Sequence, residues 1–174
     1  TDVYGFDCSF IKKLKDEDLL EKNILILGAG GVTPSVIYAL VKKKIRKIFI
    51  SNRTIEKAVN IKKKFPFVEI IIWKNIDKIS QDMDIIINTT SLGMKNKNDF
   101  NPIIKKFKAG LIYYDVIYNP LETTMLKNFK DQKVKTFNGL DMFLYQGQKS
   151  FYLWNNVTPE VNEELKKIIA SNLK

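Results

Sequence analysis

The chain has 174 residues, of which 45% are hydrophobic and 28% charged. That is enough for one domain with a sizeable core and excludes a disordered polymer. The unbroken apolar runs, such as 36–41, 70–73 and 85–87, are all far shorter than the ~18 residues a membrane-spanning helix needs. A single cysteine, Cys8, excludes an intrachain disulfide and points to a reducing, cytoplasmic setting. The absence of histidine removes Ser-His-Asp catalysis, Cys-His catalysis and every histidine metal site, and no cluster of Cys and acids suggests another metal.

The formal charge is +10, from 29 basic and 19 acidic residues, and every basic residue except Arg46 and Arg53 is lysine. The lysines at 12–13, 42–44, 62–64 and 105–106 lack interleaved aromatics and read as solvated helix faces in a chain rich in Lys, Ile and Asn. A nucleic-acid-binding module is the alternative reading of such a charge. No signal-peptide pattern is present, and the chain opens with Thr1-Asp2 rather than Met. We expect a piece of protein that follows an upstream domain.

In chain order, Phe10, Ile11, Leu14, Leu19 and Leu20 recur at helical spacing and predict one helix or two short ones over 7–22. Residues 23–27 predict a strand that runs into Gly28-Ala29-Gly30-Gly31, followed by a helix over 32–44 with Pro34 in its first turn. A strand over 47–51, a helix over 55–64 and strands over 68–72, 84–88, 111–116 and 134–137 come next. The nearly all-apolar 84–88 suits a parallel strand buried on both faces. Helices over 142–154 and 160–172 close the chain, the latter with Thr158 as N-cap and Pro159 at its first position. Strands alternating with helices predict an α/β, doubly wound parallel sheet.

The glycine segment sits between a strand and a helix. Gly28 permits a tight turn, Gly30 lets the backbone approach a diphosphate, and the free N–H groups of the helix entrance favour that anion. The usual third glycine is Thr33. A site for NAD carries an acid at the end of the second strand. Here Ser51-Asn52-Arg53-Thr54 has none. Arg53 is suited to a 2′-phosphate, Asn52 and Thr54 can donate to it, and Lys57 one turn later adds charge, so the cofactor indicated is NADP. Asn88-Thr89-Thr90-Ser91-Leu92-Gly93-Met94 and Asp115-Val116-Ile117-Tyr118-Asn119-Pro120 end two further strands, where ligand crevices form. Tyr118 reads either as a packed aromatic or as a hydroxyl offered to the crevice. Trp73, Trp154 and the phenylalanines read mostly as core, and Cys8 as a small apolar residue.

Taken in order, Thr1-Asp2 with Gly5, Gly28-Ala29-Gly30-Gly31, Asn52-Arg53-Thr54, Asn88 to Met94, Asp115 to Pro120 with Thr123, Gly139-Leu140-Asp141-Met142-Phe143, Gln146, Phe151 and Trp154 resemble shikimate dehydrogenase. That family interconverts 3-dehydroshikimate and shikimate with NADP, a step toward the aromatic amino acids. The resemblance implies a Rossmann-like NADP-binding domain over 23–140, a linker helix within 1–22 and C-terminal helices over 141–174 that pack back toward a substrate domain. It implies that Asp2 binds substrate and pairs with a catalytic lysine, and that Gln146 and Tyr118 touch substrate. It implies cofactor contacts from Gly28, Ala29, Gly30, Gly31, Val32, Asn52, Arg53, Thr54, Lys57, Thr89, Thr90, Ser91, Val116 and Gly139. Lys57 stands where the family often has arginine, and Ser91 where many members have proline. The family's N-terminal Ser-x-Ser and Lys motifs have no counterpart here, so the chain alone is expected to bind NADP but turn over little. An NAD-preferring quinate/shikimate dehydrogenase is the runner-up. The oligomeric state is not legible.

Overall fold

The computed structural model describes residues 1–98 and 104–173; residues 99–103 and 174 of the predicted segments lie outside the described residues. Six strands, β1 (Asn23–Leu27), β2 (Lys47–Ser51), β3 (Glu69–Ile70), β4 (Ile85–Asn88), β5 (Ile112–Asp115) and β6 (Lys135–Phe137), form one sheet in the order β3-β2-β1-β4-β5-β6. All pairings are parallel, with Leu27 level with both Ser51 and Asn88, and Asn88 level with Asp115. The strand order steps outward in both directions from β1, which is the doubly wound arrangement.

Alternation along the strands divides the core into two layers. Ile24, Ile26, Ile85, Ile87, Ile112 and Tyr114 face one side and pack with Phe6, Phe10, Val36, Ile37, Leu40 and Ile61. Leu25, Leu27, Ile86 and Tyr113 face the other, against Ile76, Met125, Leu126 and Phe129. The first layer is carried by α1 (Asp2–Ser9), α2 (Thr33–Leu40), α3 (Ile55–Lys64) and α6 (Leu140–Asn155), the second by α4 (Ile76–Ile79) and α5 (Thr124–Asp131). α7 (Glu163–Asn172) follows α6 on the outside and has no buried residue.

Several elements depart from expectation. The first helix lies at 2–9, not 7–22, because Phe6 and Phe10 meet the Tyr114 ring on the sheet at centroid distances of 5.2 and 4.7 Å. Ile11, Leu14 and Leu19 are buried from an irregular segment with two 3₁₀ turns, while Leu20 is exposed. α2 ends at Leu40, where the chain turns to feed β2 through bonds from Arg46 and Lys47 N–H to the Lys22 carbonyl. The third strand shrinks to an edge pair. α4 and α5 had no counterpart in the sequence reading, although a parallel crossover demands a connecting element. α7 starts at Glu163, capped by Asn162, whose Oδ1 accepts from Leu165 N–H at 2.9 Å; Thr158 is not its cap. Trp154 is 82% exposed and Leu153 63%, so the end of α6 is not core.

Asp115, fully buried at the end of β5, joins four donors. Its Oδ1 accepts from Asn88 Nδ2 at 3.1 Å and Ile117 N–H at 3.0 Å, and its Oδ2 from Tyr113 Oη at 3.2 Å and Thr123 Oγ1 at 2.9 Å. Burial pushes the carboxyl up to about 6, against the pull of these four bonds toward the ionised form. The folded state therefore holds this proton more tightly than the unfolded chain, whose aspartate titrates near the ordinary value of 3.8. The associated stabilisation is complete below that value and is lost as pH rises through about 6. Asp115→Asn removes this titration. Between about pH 4 and pH 7, the unfolding free energy of the variant should gain ~1–3 kcal/mol on that of the parent in paired urea melts. A difference that is flat with pH would contradict the assignment.

Candidate functional site

The carboxyl ends of β1, β2 and β4 open onto a cleft of about 340 Å³. Its floor is the turn after β1. Gly28 has φ +110°, and a Cβ there would stand 2.6 Å from Thr89 Oγ1 and 2.9 Å from the Thr89 carbonyl carbon, so the fold itself requires glycine. Gly30 and Gly31 differ. A Cβ at either would meet no atom within 4 Å, and neither has a left-handed backbone. Their bareness serves no packing need of the protein and leaves the backbone approachable from the cleft, as a dinucleotide's diphosphate requires. The amides of Gly30, Gly31 and Val32 stand at the entrance of α2 with no acceptor among the described residues. Gly28 N–H is bonded to Ser51 O at 2.8 Å and Ala29 N–H to Asn52 Oδ1 at 3.1 Å.

Thr33, at the usual third-glycine position, is buried and bonds Gly28 O at 3.3 Å and Thr89 Oγ1 at 2.8 Å. Its hydroxyl thus ties the start of α2 to the ends of β1 and β4, and this accounts for the missing glycine.

Of the residues predicted to meet a cofactor, Gly28, Ala29, Gly30, Asn52, Arg53 and Thr54 line the cleft. So do Lys57, Thr89, Thr90 and Ser91. Their roles divide. Arg53, Thr54 and Lys57 are exposed, and neither cation has a carboxylate within ion-pair distance among the described residues. Asn52 bridges the glycine turn to its own loop, accepting from Ala29 N–H and donating through Nδ2 to Thr54 O at 2.8 Å. Only its second N–H is left for a ligand. Two of the hydroxyls expected to face a cofactor are also engaged: Thr89 Oγ1 donates to Leu27 O at 2.8 Å, and Thr90 Oγ1 donates to Asn88 Oδ1 at 2.7 Å and accepts from Leu92 N–H. These side chains shape the wall. Trp73 and Leu92 complete the lining. Trp73 had been read as core; it is half-buried, with one part against the second core layer and another on the cleft. The signal available in the sequence was its place immediately past an edge strand on the cleft side of the sheet.

Gly31, Val32, Val116 and Gly139 do not line this cleft. Val116 N–H bonds Asn88 O at 3.0 Å, and Gly139 N–H bonds Ile117 O at 2.9 Å, so both belong to the seam joining the end of β5 to the start of α6. A Cβ at 139 would run into the Val116 carbonyl. Tyr118, beyond that seam, stacks on Phe143 of α6 with ring centroids 4.5 Å apart and planes 19° apart. Its ring packs on α6 while the residue stays half-buried.

Asp2 and Gln146, 144 residues apart, are brought together: Gln146 Nε2 donates to Asp2 Oδ1 at 2.7 Å. The crossing of α1 and α6 that allows this is close. At Gly5 a Cβ would lie 2.7 Å from Gln146 Cγ and 2.8 Å from Met142 O. Only one oxygen of the Asp2 carboxylate is used in this bond.

Comparison with known proteins follows the same layout. Residues 10–137 match the family described as Shikimate / quinate 5-dehydrogenase, and residues 139–163 match the Shikimate 5′-dehydrogenase C-terminal domain. The shikimate dehydrogenase (NADP(+)) of Pelagibacter ubique is 46% identical over 164 residues, covering 94% of this chain and 60% of that protein. The crystal structure of shikimate dehydrogenase from Aquifex aeolicus superposes with a TM-score of 0.77 at 38% identity, over 91% of this chain and 57% of that one. A shikimate dehydrogenase solved in complex with NADP+ superposes with a TM-score of 0.81 at 35% identity, over 99% and 61%. The chain thus spans about 60% of the length of the relatives it matches. With the family match running from Phe10 through the glycine turn and the Asn52-Arg53-Thr54 loop to the end of β6, on a six-stranded frame shared with solved members, the chain belongs to the shikimate/quinate 5-dehydrogenase family.

Proposed function

We propose that the cleft binds NADP+ and that the chain is the nucleotide-binding part of an NADP-dependent shikimate dehydrogenase, which reversibly reduces 3-dehydroshikimate to shikimate. The observation that carries this reading is the meeting, in one cleft, of a glycine with no packing role, Gly30, and two cations with no acidic partner among the described residues. The first suits a diphosphate and the second a further, esterified phosphate. An NAD-preferring quinate/shikimate enzyme would need an acid after β2, and residues 51–54 hold none.

In this reading the amides of Gly30, Gly31 and Val32 hold the diphosphate. Arg53, Thr54 and Lys57 hold the 2′-phosphate, and the wall of Thr89, Thr90 and Ser91 closes the other side. Val116 and Gly139 lie toward the nicotinamide. The bound cofactor supplies or accepts the hydride. Ketone reduction leaves an alkoxide that needs a proton, and since this chain holds no histidine, the donors it could itself offer are Lys, Tyr, Asp or a bound water. Asp2, oriented by Gln146, keeps an oxygen for the substrate hydroxyls and for the ammonium of the lysine that the family pairs with it. A carboxylate beside that ammonium holds it in place and keeps it charged. Residues 1–22 and 141–174 present this pair toward the substrate-binding part.

Three outcomes test the proposal. Arg53→Ala should weaken NADP+ binding about 10- to 100-fold by calorimetry, as expected for losing charged hydrogen bonds, and leave NAD+ binding within about threefold. Equal losses for both nucleotides would remove the clamp assignment. Gly30→Ala should leave thermal stability within ~1 kcal/mol of the parent, because the site is open on the protein side, yet weaken NADP+ at least about tenfold. Shikimate and NADP+ mixed with the 174-residue chain should give little or no reduced-nicotinamide absorbance; brisk turnover would show that the lysine is not needed.

A further inference from the structure

Resting on the reading of the cleft as an NADP+ site, we infer that Trp73 is a further binding residue, the platform for the adenine base. The argument starts from the order of strand ends across the cleft. The turn after β1 faces the diphosphate, and the loop after β2 carries Arg53 and Lys57. The ribose that bears the 2′-phosphate also bears the base, so a phosphate held at Arg53 puts the purine one sugar away. The strand beyond β2 is β3, and Trp73 opens the 3₁₀ turn that follows it.

The rest of the lining is polar or small, and the large apolar surfaces on the cleft are Trp73 and Leu92. A purine has two π-faces and little charge, so it gains most from such surfaces. Trp73 is suited to the task because its inner part packs against the second core layer, in which Leu25, Leu27 and Ile76 are fully buried. Its ring is therefore held before the ligand arrives, and little side-chain freedom is lost on binding. An exposed tryptophan without that support, such as Trp154, would pay the ordering cost in full.

The test uses the two-tryptophan composition of the chain. In a Trp154→Phe background Trp73 is the sole reporter. NADP+ and adenosine 2′,5′-bisphosphate should both quench its emission, whereas nicotinamide mononucleotide and inorganic pyrophosphate should not. Trp73→Ala should weaken NADP+ and NAD+ by the same factor, about tenfold, since both carry adenine, and Trp73→Phe by less than about threefold. This pattern differs from that of Arg53→Ala, which separates the two nucleotides. If NADP+ binds by calorimetry while Trp73 emission stays constant, or if Trp73→Phe binds as poorly as Trp73→Ala, the platform is overturned and the cofactor reading stands. If the parent chain takes up no NADP+ at all, the cofactor reading falls first.

Discussion

The buried carboxylate of Asp115 is the point on which the working end of the sheet depends. It lies level with Asn88 on the neighbouring strand and bonds that side chain, which in turn accepts from both the N–H and the hydroxyl of Thr90. Thr90 then holds Leu92 N–H. One carboxylate thereby sets the loop that walls the cleft. Through its other bonds it sets the departure of residues 117–123 and caps α5, because Thr123 both donates to Asp115 and accepts from Leu126 N–H. Burying a charge is costly unless it is fully hydrogen-bonded. Four donors meet that requirement, and the cost that remains appears as the raised affinity for a proton.

The charge pattern of the surface gains meaning from the cleft. Many lysines are matched locally, as in Lys47–Glu69, Lys127–Asp131, Lys130–Glu122 and the Lys166–Asp141 contact between α7 and α6. The exposed pairs among these, Lys47–Glu69, Lys127–Asp131 and Lys130–Glu122, contribute little stability. At the cleft, Arg53 and Lys57 have no carboxylate partner among the described residues, so the local field favours an anion. The net charge of +10 is thus less informative than the placing of Arg53 and Lys57 on the cleft.

Much of this was legible in the sequence, and the physical reasons are visible residue by residue. β1, β2 and α3 occupy the predicted residues because continuous apolar runs and a Thr54 boundary leave few alternatives. The glycine turn was readable because Gly28 answers to a backbone constraint and Gly30 to the lack of one. What stayed hidden depends on partners far along the chain. α1 contains Gly5, which argues against a helix locally, and forms because Phe6 and Phe10 have Tyr114 to pack on. α5 is short and its cap is shared with Asp115. Asn52, Thr89 and Thr90 carry side chains that suit a ligand, and only the hydrogen-bond geometry reveals that the protein itself uses them.

The bond between Gln146 and Asp2 joins the second residue of the chain to its last third. A polypeptide made from its amino end completes the strands and turns that form the cleft before it has made the helix that fixes Asp2. During synthesis, then, the cleft can take shape while α1 still lacks its contact with α6. Asp2 thus gains its hydrogen-bond partner only after every strand of the sheet has been made.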